Sequence, residues 1–345
     1  MHSSPSPAQL IAVDEAAVGQ RLDNFLARRL KGVPRSHIYR IVRSGEVRVN
    51  GSRAEAARKL ALDDRVRVPP LALPQSDSVP APARQYRVLF EDDWLLAVDK
   101  PAGIAVHGGS GLSWGLIESL RSARQDRFLE LAHRLDRDTS GVLLLARRRS
   151  ALTALHAALR ERQADKRYWV LVGGLWQGDG VRVDTPLHRY LTPGGERRVR
   201  VADAGQGQQA RSQFRPLARF AWPDPMLARS TGVAGLTLLE ARIQTGRTHQ
   251  IRVHLRSLGH AVVGDAKYGL DSLNRALARG EGLAGPGGNA RMFLHAARLA
   301  LPHPGHGAEL VLQADWPQVD AQWLRRLARW CGAPDVVLPG CGSEA

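Results

Sequence analysis

Cysteine is almost absent from this sequence: Cys331 and Cys341, with nine residues between them, are the only two. That spacing fits neither a zinc ribbon nor a redox pair, and two cysteines cannot build a disulfide framework. Two ordinary thiols in a reducing cytoplasm is the reading that fits. Long apolar runs are missing as well. The longest, such as residues 142–146, fall far short of the roughly 20 residues that cross a bilayer. The start, MHSSPSPAQL, has no basic segment ahead of an apolar one, so no signal peptide is expected. Aromatic residues make up only 6% of the chain. Acidic residues are scarce too, 33 Asp+Glu against 49 Lys+Arg, which leaves a formal charge of +16 and points to a polyanionic partner, nucleic acid above all.

The positive charge is not spread evenly. Residues 21–68 hold 13 Lys+Arg and 5 Asp+Glu, so half the excess lies in about a seventh of the chain. In residues 20–30, Leu22, Phe25, Leu26 and Leu30 fall on one helical face. After Gly32-Val33-Pro34, Ser36 is placed to cap a second helix with Ile38, Ile41 and Val42 as its buried stripe and Arg40 and Arg43 pointing away. Val47 and Val49 then alternate with Glu46 and Arg48 ahead of an Asn50-Gly51 turn, and RVRV at 65–68 repeats the alternation. These elements predict a compact RNA-binding unit with an arginine-lined face that includes Arg40, Arg43 and Arg48. Their order, with RLDNFL, SHIYRIVRSGEVRVNG and DDRVRVPP, resembles the alpha-L RNA-binding motif of a small-subunit ribosomal protein.

Five prolines fall in residues 69–82, which predicts an extended, semi-stiff linker. The expected organisation is an alpha-L domain at 17–68, a linker at 69–85, a catalytic domain at 86–330 and a flexible tail at 331–345. In the catalytic domain, VLFEDDWLLAVDKPAG reads as strand, turn and strand, VLLLA as a buried strand, and ALTALHAALRER as a helix capped by Ser150. RYWVLVGG, LTLLEARI, IRVHL, MFLHAARLAL and ELVLQA read as further strands. Few helices and irregularly spaced strands predict an α+β fold on a mixed, mainly antiparallel sheet.

Several familiar sites are missing. The glycine clusters HGGSG and GPGGN lack a phosphate-loop pattern. His249 and His254, read as strand residues, fall on opposite faces, so no two-histidine metal site is expected. Ser140 has no nucleophile elbow. What remains is LAHRLDRDTSGVLLLARRRS (131–150) and TGRTHQIRVHLRSLGH (245–260), two arginine- and histidine-bearing segments able to converge on one cleft. Asp138, in Asp-Thr-Ser-Gly, has the look of a turn residue bonding the amides after it. Asp136 is the candidate for chemistry: neighbouring arginines favour its ionised form, which suits a nucleophile or base and not a general acid. On residues alone a salt bridge is the commoner meaning of an aspartate among arginines. Likewise Tyr168 reads as a half-buried strand tyrosine, Arg252 as a surface strand arginine, and His133 and His249 as neutral side chains that hold loops. Arg197, Arg198 and Arg200 read as a solvated basic hairpin that also touches RNA.

HRLDRDTSG (133–141), KRYWVLV (166–172) and TGRTHQIRVHLRSLGH with VVGDAKYG (245–269) closely resemble the RluA-type pseudouridine synthases. HGGSGLSWGLIESL and RFLELAHRLDRDTSGVLLLA are most similar to the RluC type within that family. The likeness runs from about residue 17 to 315. It implies isomerisation of uridine to pseudouridine in large-subunit (23S) ribosomal RNA, with no cofactor and no metal. It also implies Asp136 as the essential carboxylate and Arg252 as its partner. Tyr168 would lie against the uracil and take part in proton removal at ring carbon five, with Leu294 as the floor of the uracil pocket. Arg134 would fill the gap left by the extruded nucleotide, with His133, Arg247 and His249 beside it on the RNA. Ser212 stands where the family pattern leads us to expect threonine. A non-catalytic RNA-binding protein on the same scaffold and a nucleoside hydrolase are the other classes the residues allow. A cytoplasmic, monomeric protein with no membrane association is expected.

Overall fold

The computed structural model describes residues 8–30, 33, 35–71, 81–108, 112–124, 126–203, 205–279 and 291–341. The chain divides into two units, Met1–Pro80 and Ala81–Ala345, each with a core of its own.

In the first unit, α1 (Leu22–Arg29) and α2 (Arg35–Arg43) pack beside a four-stranded sheet in the order β1-β4-β2-β3. The strands are β1 (Gln9–Ala12), β2 (Arg48–Val49), β3 (Ser52–Arg53) and β4 (Arg65–Val68). Leu22, Phe25, Leu26 and Leu30 are buried with Ile38, Ile41 and Val42, as their three- and four-residue spacing predicts. Each such side chain contributes about 1.5–3 kcal/mol by leaving water. Val47, Val49, Val66 and Val68 close the core from the sheet side. The Asn50-Gly51 turn has φ of +52° and +79°. These values suit the tight turn joining β2 to β3, because both central residues of such a hairpin must be left-handed. Arg40, Arg43 and Arg48 are exposed. Two details differ from expectation. The helix begins at Arg35, which places Ser36 inside its first turn instead of at its cap. Strand β1, four residues long and largely exposed, lies ahead of residue 17 and pairs with β4.

The second unit is built on a ten-stranded sheet. Its first part runs β5 (Val88–Glu91), β6 (Leu95–Lys100), α3 (Leu116–Ala123), β7 (Glu130–Leu131), β8 (Ser140–Ala146) and α4 (Arg149–Arg160). Next come β9 (Asp165–Gly173), β10 (Val181–Asp184), a separate hairpin of β11 (Leu187–Leu191) and β12 (Arg197–Val201), and β13 (Arg211–Ala221). Then follow α5 (Pro225–Thr231), β14 (Gly235–Ile243), α6 (Gln250–Ser257) and α7 (Asp271–Arg279). The unit closes with β15 (Leu294–Pro302), β16 (Glu309–Gln313) and α8 (Gln318–Trp330). The sheet order is β10-β13-β14-β9-β15-β8-β6-β5, with β16 on β15 and β7 on β8. Only the β15–β8 pair is parallel, so the sheet is mixed and mainly antiparallel as expected. Strand β8 is buried along its whole length, which is why VLLLA shows no alternation.

The IRVHL segment, expected as a strand, is helix α6. Ile251, Val253 and Leu255 alternate like a strand, but six consecutive residues from Gln250 to Leu255 are buried. In a short element enclosed on all sides, periodicity cannot separate helix from strand. Helix α4 starts two residues earlier than expected, with Arg148 and not Ser150 at its cap. The described part of the expected tail, residues 331–341, is packed: Cys341 is buried, and Val336 and Leu338 lie against the core that contains Trp316 and Trp323. The expected linker falls largely, and the glycine cluster GPGGN (285–289) wholly, outside the described residues.

Candidate active site

Three central elements of the second unit deliver side chains to one cavity of about 140 Å³. Strand β9 supplies Tyr168, β15 supplies Leu294, and the loop ahead of β8 supplies Arg134, Leu135, Asp136 and Thr139. The loop ahead of α6 adds Gly246, Arg247, Thr248 and His249, and the first turn of α6 adds Gln250, Ile251 and Arg252. The two arginine- and histidine-bearing segments of the sequence therefore meet, 116 residues apart along the chain.

The turn carrying Asp136 is closed by the Thr139 amide donating to the Asp136 carbonyl at 3.2 Å. It then runs straight into β8 through Gly141, whose φ is +103°. A Cβ at that position would stand 2.3 Å from the Ala296 carbonyl oxygen, so only glycine lets β8 approach β15 this closely. From the other side, the fully buried Lys100 ammonium donates to the carbonyls of Pro101 at 2.8 Å and Arg137 at 2.9 Å. Burial pushes Lys100 down to about 7, with the charges of Asp138 and Asp136 working the other way. Asp138 faces outward and pairs with Arg137 at 3.1 Å. Among the described residues it bonds none of the amides after it, so the expected turn-capping role is not the one it plays.

Asp136 is gripped by one guanidinium. Arg252 Nη1 donates to its Oδ2 at 2.9 Å, while Oδ1 faces His249 Nε2 across 4.0 Å. Arg252 is itself fixed by Asp265, which accepts from Nε at 2.7 Å and from Nη2 at 2.8 Å. Asp265 is 1% exposed and also accepts from the amides of Lys267 and Tyr268. Burial opposes the charge on Arg252, but the two carboxylates outweigh it and push the guanidinium further up. Arg252 thus arrives at Asp136 already oriented, and far from the surface strand position a strand reading gives it.

The other expected site residues fall into three groups. Tyr168 and Leu294 line the cavity and are almost fully buried. Burial and then Asp136 push the Tyr168 hydroxyl well up, which keeps it a phenol. Arg134 and Arg247 lie on the cavity lip with exposed side chains. Arg247 Nε donates to the Gln209 carbonyl at 3.0 Å, and among the described residues Arg134 makes no ion pair. His249 also lines the cavity; burial lowers it to about 4, so it is neutral near pH 7. Of the two readings of His133, the structure favours the neutral side chain that holds a loop over the place on the RNA: it turns inward, its Nε2 accepting the Leu144 amide at 3.1 Å. Burial and Lys166 hold it down to about 4. It fastens the loop to β8. Ser212, the departure noted above, accepts from Gln250 at 3.0 Å and bonds His254 at 2.9 Å, so a hydroxyl is what the position uses.

Sequence reasoning missed Asp265, Tyr268, Lys100 and Arg189, the last of which reaches the cavity from β11. Asp265 had a signal: it is the only acidic residue in residues 244–270, among Arg247, Arg252, Arg256 and Lys267. Arg189 had none, since only the folded hairpin brings it there. Among the described residues no three His, Cys, Asp or Glu side chains are grouped to hold a metal ion. Among the described residues Asp136 is the only carboxylate on the cavity wall.

Residues 94–257 match the family model described as RNA pseudouridylate synthase, and residues 20–66 match the S4 domain. The chain is 45% identical over 322 residues to "Ribosomal large subunit pseudouridine synthase C" of Yersinia pestis, covering 91% of this chain and 94% of the relative. It is 43% identical over 335 residues to the protein of the same name in Escherichia coli (strain K12), covering 95% and 99%. Among solved structures, the human RNA pseudouridylate synthase domain containing 4 matches with a TM-score of 0.53 at 26% identity, over 70% of this chain and 92% of that one. The human RNA pseudouridylate synthase domain containing 1 shares the fold, with a TM-score of 0.55 at 24% identity over 74% and 97%.

Proposed function

The chain belongs to the RNA pseudouridylate synthase family, with an S4 domain, and from that premise we propose that it converts uridine to pseudouridine in large-subunit (23S) ribosomal RNA with Asp136 as the essential carboxylate. The observation that carries the proposal is the Arg252–Asp136 pair on the cavity wall, with Arg252 locked from behind by Asp265. One oxygen of Asp136 is held and the other is left facing the cavity.

A stacked uridine hides its sugar–base bond, so it must swing out of the helix at a cost of about a few kcal/mol. Arg134 on the lip is suited to fill the vacated place, since a guanidinium stacks on bases and pairs with phosphate at once. Tyr168 and Leu294 then sandwich the base. Asp136 acts either on the anomeric carbon or on the neighbouring sugar proton; both routes need it ionised, and Arg252 favours that state. Tyr168 stays a phenol. To accept the proton leaving ring carbon five it must pass its own hydroxyl proton on, and Asp136 is the one carboxylate lining the cavity. Arg247 on the lip and the exposed Arg40, Arg43 and Arg48 of the S4 domain neutralise backbone phosphates.

The relatives' name supports large-subunit ribosomal RNA as substrate, and the concentration of positive charge in residues 21–68 supports RNA in general. Work on that RNA is proposed to be cytoplasmic. No helix among the described residues is long and apolar enough to cross a membrane. A monomer is proposed as the working unit. The test is Asp136→Asn assayed on ribosomal RNA by carbodiimide modification and primer extension. Pseudouridine formation should vanish while RNA binding stays within about twofold. Release of free uracil by the wild type would replace the isomerase reading with a hydrolase.

A further inference from the structure

Tyr268 has no part in the account so far, yet it touches three things that matter. Its ring lies under the Arg252 guanidinium, 5.0 Å from the centroid. Its hydroxyl is 2.8 Å from His249 Nδ1. The same oxygen accepts the backbone amide of Val199, on β12, at 2.9 Å. Both residues that flank the Asp136 carboxylate therefore rest on Tyr268, and Tyr268 rests on the β11–β12 hairpin.

That hairpin faces outward with basic side chains. Arg189, Arg197 and Arg200 are exposed, and Arg189 also reaches the cavity wall. Its attachment to the loop carrying Tyr268 is specific. Lys267 Nζ pairs with Glu196 at 2.6 Å, and Arg198 Nη1 donates to the Lys267 carbonyl at 3.3 Å. We propose that Tyr268 is a positioning residue that ties the RNA-facing hairpin to the catalytic carboxylate, acting through His249 and Arg252. The inference rests on the reading of Asp136 given above.

The hydrogen-bond directions support this. With the Val199 amide donating to the Tyr268 oxygen, the Tyr268 proton is free to be given to His249 Nδ1. His249 then carries its own hydrogen on Nε2, the nitrogen aimed at Asp136 Oδ1. A gap of 4.0 Å is too long for a direct hydrogen bond and leaves space for a substrate hydroxyl between the two. His249 itself has a left-handed backbone, φ +55°, directly ahead of α6. Such a conformation in a non-glycine residue persists only where its surroundings hold it, and the Tyr268 hydroxyl is one of those holds. An RNA strand that presses on the hairpin thus shifts the Val199 amide, the Tyr268 hydroxyl and the imidazole as one linked set.

The experiment uses the full-length protein and its ribosomal RNA substrate, with kcat and KM measured for Tyr268→Phe, His249→Gln and the double variant. Wild type and Asp136→Asn run in the same assay. Conversion by the first and none by the second shows that the reading of Asp136 stands before the Tyr268 arms are judged. Tyr268→Phe keeps the ring on Arg252 and removes only the hydroxyl. It should lower kcat roughly tenfold with KM changed less than twofold, the size expected for losing one aligned hydrogen-bond link. The double variant should be no slower than the slower single, because both break the same link. A rise in KM at unchanged kcat would make Tyr268 a mere anchor for the RNA-binding hairpin. Losses that multiply in the double variant would mean the two residues act separately, and either result overturns the proposal.

Discussion

Two aspartates of the second unit sit among arginines and are almost equally exposed, Asp165 at 18% and Asp136 at 20%. On the proposed reading they do opposite work. Asp165 receives Arg167 Nε at 2.8 Å, Arg242 Nε at 2.5 Å and Arg298 Nη1 at 2.7 Å, both oxygens engaged. Those arginines stand on β9, β14 and β15, so Asp165 staples three adjacent strands. Burial works against its charge, but the guanidiniums prevail and hold the carboxyl below its usual range. Asp136 receives a single guanidinium, already saturated on its other side by Asp265, and keeps one oxygen facing the cavity. On that reading, what sets the two apart is the count of satisfied lone pairs, since their burial is nearly the same.

The comparison can be sharpened by loosening each part in turn. Arg252→Met should have the largest effect, because it frees Asp136 and strands the buried Asp265 charge. Activity should fall below detection and denaturant titration should show a loss of about 3–5 kcal/mol. Asp265→Asn leaves Asp136 and Arg252 in place but removes the brace behind the guanidinium. The single-turnover rate should drop roughly a hundredfold, the scale of a small misplacement of a catalytic group. Arg134→Ala should weaken RNA binding modestly and lower the slope of log affinity against log salt by about one, measured by filter binding from low to moderate salt.

The smallest effect concerns pH. Lys100 is held down to about 7 in the folded protein against 10.5 when free, chiefly by burial. Between those values the unfolded chain binds the extra proton, so stability from this group rises with pH across roughly 7 to 10. Lys166, lowered to about 8 by burial and Arg247, works in the same direction. A plot of melting temperature against pH should therefore slope upward in that window for the wild type. For Lys100→Met it should be shallower without going flat.

Much of this was legible in the sequence, for reasons that differ by element. The helices of the S4 domain were readable because Leu22, Phe25 and Leu26, and then Ile38, Ile41 and Val42, are spaced for one buried face. Asn50-Gly51 declared its turn through the conformation those residues tolerate. Asp136 stood out because arginines flank it and HRLDRDTSG resembles a family motif, while Asp138 read as a turn residue. Helix α6 was misread because Ile251, Val253 and Leu255 alternate while the helix is enclosed on all sides. Tyr268 and Asp265 were passed over for a different reason: their partners Val199, His249 and Arg252 are assembled only by folding. His133 carried two readings, on the RNA or holding a loop, and only its burial beside Leu144 decides for the second.

The most direct measurement compares Asp136→Asn with Asp165→Asn side by side, reading pseudouridine formed on ribosomal RNA in a single turnover and the melting temperature of each variant. Asp136→Asn is expected to melt like the wild type and make no product. Asp165→Asn is expected to melt several degrees lower, the size of one lost ion-pair staple, and to convert RNA at close to the normal rate below its transition. Product from the first variant, or a silent but stable second one, would contradict the assignment.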